Sequence, residues 1–166
     1  MRYSTVSPEP YIEVRTTEQS LALVGADGWT RQYAVSTSKH GLGERSGSHK
    51  TPRGRHIIRA KIGAGSPVGT VFVGRRPTGE IYSEALSRAA PDRDWILTRI
   101  LWLSGTEPGF NRLGQVDTMR RFIYIHGMPD NVPVGTPGSI GCIRMRNGDI
   151  VDLFDRVAVG MLVVID

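Results

Sequence analysis

A single cysteine, Cys142, stands in a chain of 166 residues. A lone thiol cannot form an internal disulfide, so the fold is held without covalent cross-links. The four histidines and one cysteine show no CxxC, HxxxH or HExxH spacing, so no metal site is expected, and no sequence element calls for a cofactor. No GxSxG elbow is present, which removes the usual serine-hydrolase arrangement. Long apolar runs are missing too. The longest, Val157–Ile165, is far short of the roughly 20 residues that span a bilayer, so no membrane insertion is expected. The opening MRYSTVSPEP lacks the apolar stretch of about 7–15 residues found in secretory signals. The expected location is therefore cytoplasmic, or periplasmic if an export segment precedes this sequence. Lysine is scarce as well, since 18 of the 21 basic residues are arginine.

What is present suits one compact domain over residues 1–166. Leu, Ile, Val and Phe total 42 residues, about a quarter, which excludes the disordered class. Gly 20 and Pro 10 point to many short elements joined by tight turns. Eight β-rich runs bounded by turn residues read as strands: Tyr11–Val14, Ser20–Val24, Gln32–Ser36, His56–Ile62, Thr70–Gly74, Trp95–Ser104, Phe122–His126 and Met161–Ile165. Asp27-Gly28 marks a hairpin between the second and third. One main helix is expected from an N-cap at Asn147, with Ile150, Val151, Phe154 and Val157 on its apolar face. A short helical segment is expected over Ser83–Ala90. The fold class is mostly β, a sandwich or sheet with one main helix near the C-terminus and short helical segments.

The net charge of +5 is unevenly placed. From Lys39 to Lys61 there are seven basic residues and one acid, Glu44, with His40, His49 and His56 interleaved as expected surface residues. Clustered arginine suits phosphates or carboxylates. No recognition helix, zinc-finger spacing or aromatic RNA motif accompanies the cluster, so nucleic acid is not the expected partner.

Two polar residues carry the chemistry. Cys142 lies in Ser139-Ile140-Gly141-Cys142-Ile143-Arg144-Met145. If this segment is extended, Ile143 and Met145 enter the core while Cys142 and Arg144 share the other face. Gly141 leaves nearby backbone N–H groups open to an oxyanion. An imidazole or a guanidinium beside the sulfur is expected to lower the thiol pKa. His126 ends the run Phe122-Ile123-Tyr124-Ile125-His126, which places Tyr124 and His126 toward a cleft. A loop of 15 residues rich in Gly and Pro then returns the chain to Cys142. Trp102, Gly105–Arg112 and Met128–Gly138 are candidate walls or lid.

Tyr124-Ile125-His126-Gly127 followed by Ser139-Ile140-Gly141-Cys142-Ile143-Arg144-Met145 resembles the signature of the L,D-transpeptidase (YkuD-type) catalytic domain. That signature reads His-Gly, a loop, then Ser-His-Gly-Cys-Ile/Val-Arg-Leu/Met. Thr51-Pro52-Arg53-Gly54 is similar to the family's Thr-Pro-x-Gly turn, and Asn147–Val157 with Gly160–Ile165 is similar to its closing helix and strand. The resemblance implies cysteine acyl-enzyme chemistry on peptidoglycan stem peptides, at the bond between meso-diaminopimelate and a D-residue. It implies Cys142 as nucleophile, His126 as general base and the Gly127 carbonyl as the group orienting the imidazole. The Gly141 and Cys142 amides become the oxyanion donors. Arg144, Ser139 and Tyr124 become substrate-binding or supporting residues. Ile140 departs from the pattern, standing where the family has His. Cytoplasmic members that resemble this chain act as L,D-carboxypeptidases on soluble muropeptides in wall recycling, and this is the expected activity. L,D-transpeptidation, forming 3-3 cross-links or exchanging terminal D-amino acids, is the alternative, and an inactive muropeptide-binding module is a further one.

Overall fold

The protein is described by a computed structural model over residues 9–166. Its elements are β1 (Tyr11–Arg15), β2 (Ser20–Val24), β3 (Thr30–Ser36), β4 (Gly54–Ile62), β5 (Thr70–Val73), β6 (Arg76–Ile81), α1 (Glu84–Ala89), β7 (Ile96–Gly105), β8 (Tyr124–Met128), β9 (Ile143–Arg146), α2 (Asn147–Arg156) and β10 (Leu162–Ile165). The mostly β class with one main helix near the C-terminus is as expected from the sequence.

The sheet closes on itself. Strands run in the order β4, β10, β1, β2, β3, β9, β8, β7, and β7 pairs back onto β4. The eight-stranded ring removes its own edges, and the β5–β6 hairpin hangs from the start of β7, where Val71 faces Leu97. Alternation along the strands sorts the side chains. Ile12, Val14, Leu21, Leu23, Tyr33 and Val35 point inward from the β1–β2–β3 meander, whose β2–β3 turn uses Gly28 at φ 87° as the Asp-Gly pair requires. Ile150, Leu153 and Phe154 of α2, with Val157 just after it, complete the same core. A second cluster lies outside the ring: Phe72, Ile100 and Tyr124, with Ile62, Ile96, Trp102 and Cys142 packed against it.

Several boundaries differ from the sequence reading, each for a physical reason. Ten strands form rather than eight. The first unexpected one, β6, is almost wholly exposed and contains Pro77 and Gly79, and it exists as an edge strand through its pairing with β5. The other, β9, covers the Ile143–Arg146 part of the segment expected to be extended, with Cys142 just before it; β8 pairs with all four residues and β3 with Arg144 and Met145. Strand β8 begins two residues later than expected and continues through Gly127 to Met128, so His126 sits mid-strand. Asn147 is the first helical residue of α2 rather than its N-cap, because its side chain pairs with Thr98 and Asp130. Leu153 takes the buried helix position assigned to Val151, which is half-buried. His56 is fully buried, not on the surface, with Nδ1 at 3.0 Å from Gly54 O and Nε2 at 2.9 Å from Thr118 Oγ1.

Candidate active site

Strands β8 and β9 are parallel neighbours, with Ile125 opposite Ile143 and His126 opposite Arg144. Ile125, Ile143 and Met145 enter the ring core, so Tyr124, His126, Cys142 and Arg144 share the outer side. His126 and Cys142 are thus one strand apart and two residues out of step. The strand spacing of about 4.8 Å and a two-residue rise of about 6.6 Å separate their backbones by roughly 8 Å, a gap that a cysteine and an imidazole side chain can span together.

The imidazole is held in one orientation. Nδ1 lies 2.7 Å from the Gly127 carbonyl, which accepts its proton and leaves Nε2 as the free base. His126 has no solvent exposure, and Nε2 is buried with no hydrogen-bond partner. Burial holds its pKa below the ordinary histidine value, against the opposing pull of Asp94 and the Gly127 carbonyl. Cys142 is half-buried. Its Sγ accepts from Tyr124 N at 3.3 Å and donates to Phe122 O at 3.4 Å. Burial pushes the thiol pKa up to about 12, although the Tyr124 amide and the guanidinium groups of Arg121 and Arg144 favour the thiolate. The expected lowering of the thiol pKa is therefore reversed, because desolvation outweighs the nearby positive charge. Burial thus favours the neutral form of both the thiol and the imidazole.

The segment before Cys142 is pinned from several sides. Ser139 Oγ donates to Cys142 O at 2.5 Å, and Gly141 N donates to Ser139 Oγ at 3.3 Å. The Gly141 amide, expected to be open to an oxyanion, is thus already engaged. The Cys142 amide has no hydrogen-bond partner among the described residues. Thr51, from the Thr-Pro-x-Gly turn, donates its hydroxyl to Gly141 O at 3.0 Å and accepts from Ser38 N at 3.0 Å. Arg121 donates to Lys50 O at 2.6 Å and to Gly43 O at 3.2 Å, tying the basic loop to the same place. Arg144 is half-buried against Gly138, where an added Cβ would lie 2.5 Å from its Nη2. Its guanidinium lies close beside the Gly138 backbone, and its Nε is buried without a hydrogen-bond partner among the described residues.

Tyr124 does not open onto a cleft as expected. It is buried, and its hydroxyl accepts from Arg75 Nη1 at 3.0 Å. Arg75 stands at the tip of the β5–β6 hairpin, 4.7 Å over the Trp102 ring and 4.9 Å over the Phe122 ring. Trp102 is therefore a wall of the site, whereas Gly105–Arg112 packs onto the start of β4 through Asn111, which donates to Arg53 O and Arg55 O. On the other flank, His49, Arg120, Arg121, Ile123 and Ile140 line a cavity of about 220 Å³. Ile140 is 45% exposed there. Sequence reasoning missed Arg75 and Asp94. Asp94 lies in the loop before β7, and its charge bears on His126, Cys142 and Arg144 alike. Neither residue carries a local signal, since each reaches the site only when β7 docks beside β8. Among the described residues no cluster of three His, Cys, Asp or Glu side chains forms, and no helix is long and apolar enough to cross a membrane.

Residues 9–165 match the family described as the L,D-transpeptidase catalytic domain, YkuD. No curated protein matches. Among solved structures, an L,D-transpeptidase from Mycobacterium smegmatis is 19% identical with a TM-score of 0.56, over 95% of this chain and 58% of that one. A cysteine-to-serine mutant of the Enterococcus faecium L,D-transpeptidase is 15% identical with a TM-score of 0.58, over 96% and 50%. L,D-transpeptidase 3 from Mycobacterium tuberculosis, in complex with a faropenem-derived adduct, is 14% identical with a TM-score of 0.59, over 96% and 60%. At these identities the likeness is one of fold, and the chain spans between half and three-fifths of the length of these proteins.

Proposed function

Because the chain belongs to the L,D-transpeptidase catalytic domain (YkuD) family, we propose that it is a cysteine acyl-enzyme catalyst acting on peptidoglycan stem peptides at the bond between diaminopimelate and a terminal D-residue. The observation that carries this reading is the fixed tautomer of His126, whose buried, unpartnered Nε2 shares the outer side of the parallel β8–β9 pair with the only thiol. In the proposed cycle, Cys142 leaves its hydrogen bond to Phe122 O and its proton passes to Nε2 as Sγ attacks the carbonyl carbon. The Cys142 amide receives the developing oxyanion. The C–N bond then breaks, the imidazolium returns the proton to the departing amine, and a thioester remains.

Water is the proposed second nucleophile, which makes the net reaction L,D-carboxypeptidation. The charge around the thiol supports this. Arg121 and Arg144 act on it, Arg75 stands beyond Tyr124, and among the described residues Asp94 is the one acid acting on it, a field that disfavours a cationic acceptor amine and leaves water unaffected. Soluble muropeptides are the proposed substrates, and transfer to an amine is the competing outcome.

Incubation with free tetrapeptide ending in diaminopimelate-D-Ala, with and without a second D-amino acid, separates the two by mass spectrometry. Tripeptide and free D-Ala are expected without an acceptor and are absent from Cys142→Ala. Exclusive formation of exchanged or joined peptides assigns transpeptidation instead, and no turnover at all overturns the assignment.

A further inference from the structure

We propose that Arg75 is a specificity residue that binds a carboxylate of the substrate beside the nucleophile, carried there by the tip of the β5–β6 hairpin. The peptide part of this inference rests on Cys142 being the nucleophile on stem peptides.

Val73 and Arg76 pair across a two-residue loop, Gly74-Arg75, and both loop residues have positive φ, 55° and 65°. Such loops favour glycine, asparagine or aspartate, and a long L side chain at φ 65° is strained. The guanidinium is nonetheless held on three aromatic residues. It lies over Trp102 and Phe122, and Nη1 donates to the Tyr124 hydroxyl. Two of these residues also hold the thiol: the Tyr124 amide donates to Sγ and the Phe122 carbonyl accepts from it. Tyr124 and Phe122 therefore link the two groups, their side chains holding the Arg75 guanidinium and their backbone holding Sγ.

Its donors are largely unspent. Among the described residues no carboxylate forms a salt bridge with Arg75, whereas Arg53 and Arg93, also on or near the flanking strands, are paired with Glu44 and Glu80. A planar guanidinium, oriented by ring stacking and half-open to solvent, is the fork that receives a carboxylate through two parallel hydrogen bonds. A diaminopimelate stem offers two carboxylates near the scissile bond, on the departing D-residue and on the far centre of the diamino acid. Either supplies the same chemistry.

The first test needs no peptide substrate. Alkylation of Cys142 by iodoacetate and by iodoacetamide at one pH differs only in the reagent's carboxylate, so the ratio of the two rates cancels the thiolate fraction. In the wild type this ratio exceeds that of free cysteine, and in Arg75→Gln it falls about threefold to tenfold, as expected for a lost charge-assisted hydrogen bond. Arg59→Gln is the matched control, because Arg59 lies 5.8 Å over the same Trp102 ring and removes the same charge. An equal fall in Arg59→Gln, or none in Arg75→Gln, overturns the proposal. The second test uses tetrapeptides amidated at one carboxylate or the other. The amidation that raises KM in the wild type and has no further effect in Arg75→Gln, with kcat unchanged within a few-fold, identifies the carboxylate bound. Peptides that are not turned over, together with a ratio that depends on Arg75, leave the anion site standing and remove the stem-peptide function. Turnover with unaltered ratios and KM does the reverse.

Discussion

At the scale of single residues, the protonation state of the thiol decides how this site works. Papain-like catalysis begins from a thiolate–imidazolium pair, and here desolvation of both groups favours the neutral pair. Alkylation of Cys142 by iodoacetamide is accordingly expected to rise with pH without levelling off below about pH 10, whereas a free cysteine levels off above its pKa of about 8.5. A plateau near neutral pH is the contrary result. His126 has its pKa held below the ordinary value by burial, so the proposed peptide turnover, followed against pH, is expected to fall off on the acid side only below the ordinary histidine range near pH 6.5. The identities of these two residues were legible from the sequence because thiol, imidazole and glycine stand in the family's order. Their ionisation was not legible, since it depends on how the Tyr124 amide, the Phe122 carbonyl and the Phe72–Ile100–Tyr124 cluster close around the sulfur.

At the scale of elements, the β7–β8–α2 junction fixes the base. An added Cβ at Gly127 would lie 2.6 Å from Asn147 Oδ1 and 2.6 Å from Leu97 O. Gly127→Ala must therefore push β7 or α2 away and displace the carbonyl that orients His126. We expect a stability loss of about 1–3 kcal/mol in urea unfolding together with a fall in kcat beyond what the unfolded fraction explains. Gly148→Ala, one residue into α2 from Asn147 and with open space around it, is expected to gain about 0.5–1 kcal/mol without loss of activity. The β-branched and apolar patterns and the turn residues between them made ten of the twelve strands and α-helices legible. The Cys142 segment was read only as conditionally extended. The β5–β6 hairpin was read as one strand, because β6 has neither alternation nor burial, and Arg75 vanished with it.

At the scale of the whole molecule, acid acts through buried histidine. His56 is enclosed between Gly54 and Thr118, and burial lowers its pKa from 6.5 to about 4. Its native pKa lies below its unfolded one, so the unfolded chain binds more protons between those values. Stability is then complete above about pH 6.5 and declines as pH falls toward 4, by about 2 kcal/mol between pH 7.5 and 5. Urea midpoints at those two pH values are expected to show this decline, and His56→Gln, less stable at pH 7.5, is expected to show a shallower one. Equal slopes in both proteins would remove His56 as the cause. Closure of the ring was beyond the sequence, because it is made by pairings such as β4 with β7 and β1 with β10 that no local pattern encodes.

Strand β10 lies between β4 and β1, antiparallel to one and parallel to the other. It is the last of the described strands in chain order, and so leaves the ribosome after the other nine. Until it does, the nascent chain holds an open slot flanked by two bare strand edges, with Ile12, Val14 and Ile58 uncovered behind them. The domain therefore acquires its core in one late step rather than segment by segment during synthesis, and that interval is where a chaperone has most to protect.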